Sequence, residues 1–211
     1  MTELVFILDK SGSMSGLESD TIGGFNSMIE KQKREEGDTV VSTVLFSSES
    51  VVIHDRVPLE TVTRMTEEEY FTCGCTALLD AVGGAIRHIG NIYKYARKED
   101  VPTKTMFIIT TDGYENASKH YDYEKVRKMI ERQKNRYGWE FLFLGANIDA
   151  AAEAKRFGIS ADRAVTYKCD KEGTALNYEV INEAVCSVRA CRPLSADWKN
   201  RIDKDVQKRG K

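Results

Sequence analysis

Apolar runs alternating with amphipathic stretches along the 211 residues predict an α/β protein with a largely parallel central sheet and helices on both faces. Three observations carry that expectation. Runs such as Leu4-Val5-Phe6-Ile7-Leu8 and Met106-Phe107-Ile108-Ile109 are apolar throughout, as strands buried on both faces require. The long segments between such runs repeat their apolar residues at helical spacing. One pair of runs is joined by a few residues only, too few for a parallel crossover, which predicts an antiparallel hairpin at a sheet edge.

The first strand, centred on Leu4 to Leu8, runs into Asp9 and then into Ser11 and Ser13 at alternate positions. Gly16 to Glu36 carries Leu17, Ile22, Phe25, Met28 and Ile29 at helical spacing, with Gly37 placed to close the helix. Asp38 to Ser47 holds the second strand, Ser48-Glu49-Ser50 a turn, and Val51 to Val57 the third strand, the antiparallel partner. Pro58 to Tyr70, with Glu67-Glu68-Glu69, reads as a solvated connector or short helix.

Phe71 to Thr76 is a loop, and Ala77 to Arg97 sets Leu78, Leu79, Val82, Ile86, Ile89, Ile92 and Tyr93 on one helical face. Thr105 to Thr111 repeats the first strand's pattern and likewise ends in an acid, Asp112. A helix is expected over Tyr121 to Tyr137, a strand over Trp139 to Leu144, and a short helix to about Phe157 capped by Asp149. A short strand at Ala164 to Tyr167 and a helix from about Thr174 to Ala190 follow. Without internal repeats or linkers, residues 1–192 read as one domain. The stretch 193–211, opened by Pro193, reads as a polar C-terminal tail with only Trp198 suited to a core.

Composition narrows the function classes. With 41% hydrophobic and 30% charged residues the chain is ordinary for a globular protein. The net charge of −2, from 31 Lys and Arg against 33 Asp and Glu, supplies no global basic field, so no nucleic-acid partner is expected. No apolar run approaches the roughly 18 residues of a spanning helix, and the first residues lack the pattern of a secretory signal, so no membrane is expected. Five cysteines, Cys73, Cys75, Cys169, Cys186 and Cys191, follow no metal-finger spacing and fit reduced thiols, hence a cytoplasmic protein.

Strand-end residues carry the chemistry. Open α/β sheets bind ligands beyond the carboxyl ends of their strands where the strand order reverses. Asp9, Ser11 and Ser13 follow the first strand, Thr76 stands at the mouth of a helix, and Asp112 follows the next long strand. Carboxylate and hydroxyl oxygens alone make a hard-cation set, suited to Mg²⁺ or Mn²⁺ rather than zinc or copper. Two carboxylates leave such an ion poorly neutralised, and a carboxylate from another protein would complete it.

Asp9-x-Ser11-x-Ser13, Thr76 and Asp112, with the wording Phe-Ile-Leu-Asp-Lys-Ser-Gly-Ser-Met, Thr-Ala-Leu-Leu-Asp-Ala and Ile-Thr-Thr-Asp-Gly around them, resemble the metal-ion-dependent adhesion site of von Willebrand factor type A domains, in particular stand-alone bacterial or phage members. The resemblance spans about residues 2 to 190. It implies a Rossmann-like, doubly wound sheet with one antiparallel edge strand. It also implies that Asp9 holds the metal directly or through water, that Ser11, Ser13 and Thr76 coordinate by hydroxyl, that Asp112 acts through water, and that a partner's acidic residue completes the shell. Cys73 and Cys75, on either side of Gly74, depart from the Gly/Ser-rich wording of that loop.

The alternative is a metal-dependent hydrolase or phosphoryl-transfer enzyme. Against it, position 11 is Ser where aspartate-nucleophile phosphatases carry a second Asp, and no phosphate-binding glycine loop or nucleophile elbow occurs. A non-enzymatic binding module is the expected function. Asp80 reads as first-turn helix charge, Asn147 and Asp149 as turn and cap residues, and His54, His88 and His120 as scattered packing or surface residues.

Overall fold

The computed structural model describes residues Met1 to Gly210. Six strands, β1 (Thr2–Asp9), β2 (Thr39–Phe46), β3 (Ser50–Pro58), β4 (Lys104–Thr111), β5 (Glu140–Ala146) and β6 (Ala164–Tyr167), form one sheet in the order β3-β2-β1-β4-β5-β6. All neighbours pair in parallel except β2 and β3, the antiparallel edge pair expected from their short connection. The order reverses at β1, which lies between β2 and β4. The chain therefore leaves β1 to one side and later returns to its other side, opening a crevice at the carboxyl ends of β1 and β4.

Six helices cover the sheet: α1 (Glu18–Gln32), α2 (Leu78–Tyr95), α3 (Tyr123–Tyr137), α4 (Ala150–Arg156), α5 (Lys171–Arg189) and α6 (Asn200–Arg209). Strand side chains alternate between two cores. Leu4, Phe6 and Leu8 pack with Phe25 and Met28 of α1 and Val180, Ile181 and Val185 of α5. Val5 and Ile7 face the other way, against Leu78, Val82 and Ile86 of α2 and Val126 and Ile130 of α3. Asp122, Asp149 and Asp170 cap α3, α4 and α5 by accepting the amides of Lys125, Ala152 and Gly173. Burial on both faces is why the central strands read as unbroken apolar runs.

Two expectations need correction. The connector from Pro58 to Tyr70 is not merely solvated: Leu59, Val62, Met65 and Tyr70 are buried in the α1/α5 core while its glutamates stay outside. Met65 is tied to α1 by Asn26, whose side chain accepts the Met65 amide at 2.9 Å and donates to its carbonyl at 2.8 Å. The polar stretch after Pro193 also folds back. Within it α6 places Ile202, 1% exposed, in the α1/α5 core, with Leu194 buried and Trp198 and Val206 packed alongside. Isolated apolar residues at 194, 198, 202 and 206 repeat every four positions, a narrow stripe that overall polarity hides. No helix among the described residues is long and apolar enough to cross a membrane.

His54 on β3 is buried between Thr43 and Thr63, whose hydroxyls lie 3.1 and 3.2 Å from its ring nitrogens, and stacks on Phe25. Burial holds its pKa below the ordinary imidazole range. The folded state thus prefers the neutral ring, so this contribution is complete above the unfolded value of about 6.5 and is lost as pH falls below it. Chemical denaturation across that interval should show wild type losing stability with acid more steeply than His54→Gln. A second prediction concerns α6: Ile202→Ala should lower unfolding free energy by about 2–4 kcal/mol, whereas the exposed Lys208→Ala should be near neutral.

Candidate functional site

The crevice is assembled from three loops, after β1, before α2 and after β4. Register sets the first contact: Leu8 pairs with Thr110, so Asp9 and Thr111 end their strands side by side. Thr111 Oγ1 donates to Asp9 Oδ2 at 2.6 Å and the Ser11 amide donates to Asp9 Oδ1 at 2.7 Å. From below, the Tyr70 hydroxyl donates to the Asp9 carbonyl at 2.5 Å. Ser13 Oγ donates to Asp112 Oδ1 at 2.5 Å and lies 3.1 Å from Ser11 Oγ. A Cβ placed on Gly113 would lie 3.6 Å from Thr76 Oγ1 and 3.7 Å from Ser13 Oγ, so these hydroxyls flank the same glycine.

The structure therefore brings together all five residues singled out in the sequence. Asp9, Ser11, Thr76 and Asp112 are buried and Ser13 is exposed at the mouth.

Backbone hydrogen bonds zip the loops to one another. The Lys10 amide donates to Phe46 at 2.7 Å, the Cys73 amide to Lys10 at 2.9 Å, the Gly12 amide to Gly74 at 3.1 Å and the Ala77 amide to Ser47 at 2.8 Å. Asn116 grips Thr76 at both ends: its Oδ1 accepts the Thr76 amide at 2.9 Å and its own amide donates to the Thr76 carbonyl at 3.0 Å. Glu115 accepts the amides of Leu79, Ala117 and Ser118 at 2.8, 2.8 and 2.7 Å, joining the third loop to the start of α2.

Asp80 does more than complement a helix dipole. Its carboxylate accepts the amides of Lys119, His120 and Tyr121, each at 2.9 Å. Burial alone pushes its pKa up, but those three donors outweigh it and hold the carboxyl below the usual range. Tyr70, Thr111, Glu115 and Asn116 were not singled out in the sequence. A local signal exists for Glu115 and Asn116 alone, which share one polar loop with Asp112; the partners of all four are far away in the chain.

The electrostatics set this cluster apart. Among the described residues four acids are buried: Glu3, Asp9, Asp112 and Glu153. Glu3 pairs with Arg56 at 3.0 Å and Glu153 with Arg156 at 2.9 Å. Among the described residues no cationic side chain forms an ion pair with Asp9 or Asp112. Lys10, the basic residue of the loop, turns away: its Nζ stands over the Phe71 ring at 4.1 Å and 3.5 Å from the Glu69 carbonyl.

Burial raises the pKa of Asp9 against the opposing hydrogen bonds of Thr111 and Ser11. Burial likewise raises Asp112, opposed by Ser13 and reinforced by the Asp9 charge. Asp112 Oδ2 is buried without any partner. The half-buried Cys169 senses the same charge: burial first, then Asp112, push its thiol up to about 11. No three His, Cys, Asp or Glu side chains among the described residues gather to hold a metal, so a cation here would rest on hydroxyls as much as on carboxylates.

No protein-family model and no curated protein matches the sequence. Solved structures do. A mutant of the PilB minor pilin from Streptococcus sanguinis superposes with a TM-score of 0.61 at 12% identity, over 89% of this chain and 62% of that one. Proximal thread matrix protein 1 from the mussel byssus, described with a zinc-occupied MIDAS motif, gives 0.59 at 15% identity, over 88% and 46%. The von Willebrand factor type A structure from Catenulispora acidiphila gives 0.59 at 14% identity, over 88% and 42%. The chain spans about half the length of these structures. Its fold is that of a von Willebrand factor type A domain: Rossmann-like, mostly parallel, with one antiparallel edge strand.

A buried carboxylate lacking a counter-charge destabilises the fold that contains it. In EDTA at neutral pH, Asp112→Asn should therefore melt higher than wild type. The gain should be on the order of 1 kcal/mol, about 2–4 °C for a chain of this size. Calorimetry showing an unchanged or lower melting temperature would mean that the charge is already compensated.

Proposed function

We propose that the protein is a binding module in which Asp9, Ser11, Ser13, Thr76 and Asp112 hold a divalent cation, Mg²⁺ or Mn²⁺, that captures a carboxylate of a protein partner. The observation that carries this reading is the pair of buried, adjacent, cation-free carboxylates, one of them with an orphaned oxygen, facing three converging hydroxyls. Elsewhere this fold neutralises its buried acids with arginine. Here, among the described residues, no such pair forms, and exposed Ser13 leaves the cluster in reach of solvent and hence of an ion.

The donors fit a hard cation, since every candidate ligand is a carboxylate or hydroxyl oxygen. Asp9 and Asp112 would supply the charge, and Ser11, Ser13 and Thr76 the neutral oxygens. When bound, the ion would supply an electrophilic contact for an external anionic oxygen, because two carboxylates and neutral hydroxyls leave it wanting another. The MIDAS motif named for the byssal matrix protein supports a divalent ion in the corresponding place here, although zinc rather than magnesium occupies it there.

Binding is favoured over catalysis by what the hydroxyls touch. Ser11 and Ser13 contact each other, Ser13 Oγ donates to Asp112, and no histidine side chain among the described residues hydrogen-bonds either serine. His54 is engaged by Thr43 and Thr63, and His88 faces Asp55 at 2.8 Å. A serine nucleophile is commonly activated by a histidine, and neither serine has one in contact; the carboxylate that Ser13 does touch, Asp112, is one of the two acids assigned to the cation.

Titration calorimetry with Mg²⁺ and Mn²⁺ tests the metal. Wild type should bind one ion per chain and gain about 2.7 kcal/mol of stability at a hundredfold excess over the dissociation constant. Asp9→Ala and Thr76→Ala should lose both effects while keeping the circular dichroism of the fold. Pull-down of a partner through this site should stop in EDTA and in Asp9→Ala. Capture that persists in both would sink the binding reading, and turnover of a phosphate ester lost in Asp9→Ala would replace it with the enzyme.

A further inference from the structure

Cys73 and Cys75 are both exposed, and one residue separates them in the loop that delivers Thr76. Two observations make this more than a pair of stray thiols. The glycine between them is required twice over: Gly74 has φ +73, and a Cβ there would stand 2.7 Å from Ser48 Oγ. The backbone on both sides is held to the site. The Cys73 amide donates to the Lys10 carbonyl at 2.9 Å, the Gly74 carbonyl accepts the Gly12 amide at 3.1 Å, and the Cys75 amide donates to Ser48 Oγ at 2.9 Å. The next amide is that of Thr76, bound to Asn116.

We infer that Cys73 and Cys75 form a reversible dithiol–disulfide pair whose closure shifts Thr76 and weakens the cation site. Covalent geometry permits the bond, because Cα atoms two residues apart are at most about 7 Å apart, at the upper edge of the 4.4–6.8 Å of disulfides, and the chain bends at Gly74. The chemistry balances with a small disulfide such as oxidised glutathione as oxidant. One cysteine thiolate attacks it, forming a mixed disulfide and releasing one glutathione as thiolate. The second cysteine thiolate then attacks the mixed disulfide and releases the other glutathione. The two cysteine sulfurs are oxidised, the glutathione disulfide is reduced to two thiols, and the two protons lost by the cysteines end on them.

Closing so small a ring draws the two Cβ atoms to about 3.8 Å, which rotates the peptide units on either side of Gly74. Those units carry the Gly74 carbonyl and the Cys75 amide, so the contacts to Gly12 and Ser48 yield first and the next amide, that of Thr76 to Asn116, loosens with them. Gly12 lies between Ser11 and Ser13, and Cys75 precedes Thr76. Three of the five oxygen donors thus move with the pair. The effect on the ion rests on the proposed metal reading, whereas the bond itself and the movement of Thr76 do not.

The test oxidises the full chain with glutathione disulfide, then combines peptide mass mapping, hydrogen exchange at Gly12 and Thr76, and Mg²⁺ calorimetry. The expected result is a bond between Cys73 and Cys75, faster exchange at both amides, and Mg²⁺ affinity reduced about tenfold, the equivalent of one backbone hydrogen bond. Dithiothreitol should reverse all three. Cys73→Ser and Cys75→Ser should abolish the response, while Cys191→Ser, at another exposed thiol, should preserve it. Thiols that remain alkylatable, or that yield only a glutathione adduct or a dimer, would overturn the inference. So would a closed bond that leaves the exchange of Thr76 unchanged. If the reduced protein binds no Mg²⁺, the metal reading fails, and the exchange data alone decide on the pair.

Discussion

Uncompensated negative charge at the ends of β1 and β4 is the constraint on which the rest of the site depends. Parallel pairing of these strands sets Asp9 beside Thr111 and makes Asp112 the next residue to emerge, so the acids are neighbours by register rather than by loop flexibility. Desolvation then works against both carboxylates. A fold optimised for stability alone would have placed an arginine there, as it does at Glu3 and Glu153. Instead the nearby lysine is spent on the face of Phe71. Such a departure from good packing is characteristic of a site where an external group completes the structure.

Hydrogen bonds tie the loops around that charge to one another. Carboxylates and an amide do the work that a strand edge does elsewhere: Asp80 gathers three successive amides, Glu115 three more, and Asn116 takes both backbone groups of Thr76. This pairs backbone amides of the loops while keeping the mouth polar. Thr76 itself is held by Asn116 of the third loop, while its chain neighbours Cys75 and Ala77 are bonded to Ser48 and Ser47 in the turn after the second strand.

The apolar grammar of the chain made most of the fold legible. Strands buried on both faces have to be apolar at every position, and the helices have to show one apolar face, so both patterns survive in the primary structure. The reading failed where burial depends on a few residues within polar surroundings. Leu59, Val62, Met65 and Tyr70 sit among glutamates, and Leu194, Trp198, Ile202 and Val206 among lysines and aspartates, yet each set enters the α1/α5 core. Local composition does not report such stripes, because what buries them is a surface formed by distant segments.

Asp9, Ser11, Ser13 and Asp112 are legible from their positions after strands, since a strand that finishes in an acid must deliver that acid to the sheet's carboxyl edge, and Thr76 from its place before a helix and from the wording around it. Their convergence, the side of the sheet on which β4 lies, and the lack, among the described residues, of a cationic side chain paired with the two acids were decided only by the tertiary structure. So were the roles of Tyr70, Thr111, Glu115 and Asn116, whose partners lie 61, 102, 36 and 40 positions away in the chain. Side-chain chemistry is local and can be read along the chain. Charge compensation is a property of everything within a few ångströms, and folding alone chooses those neighbours.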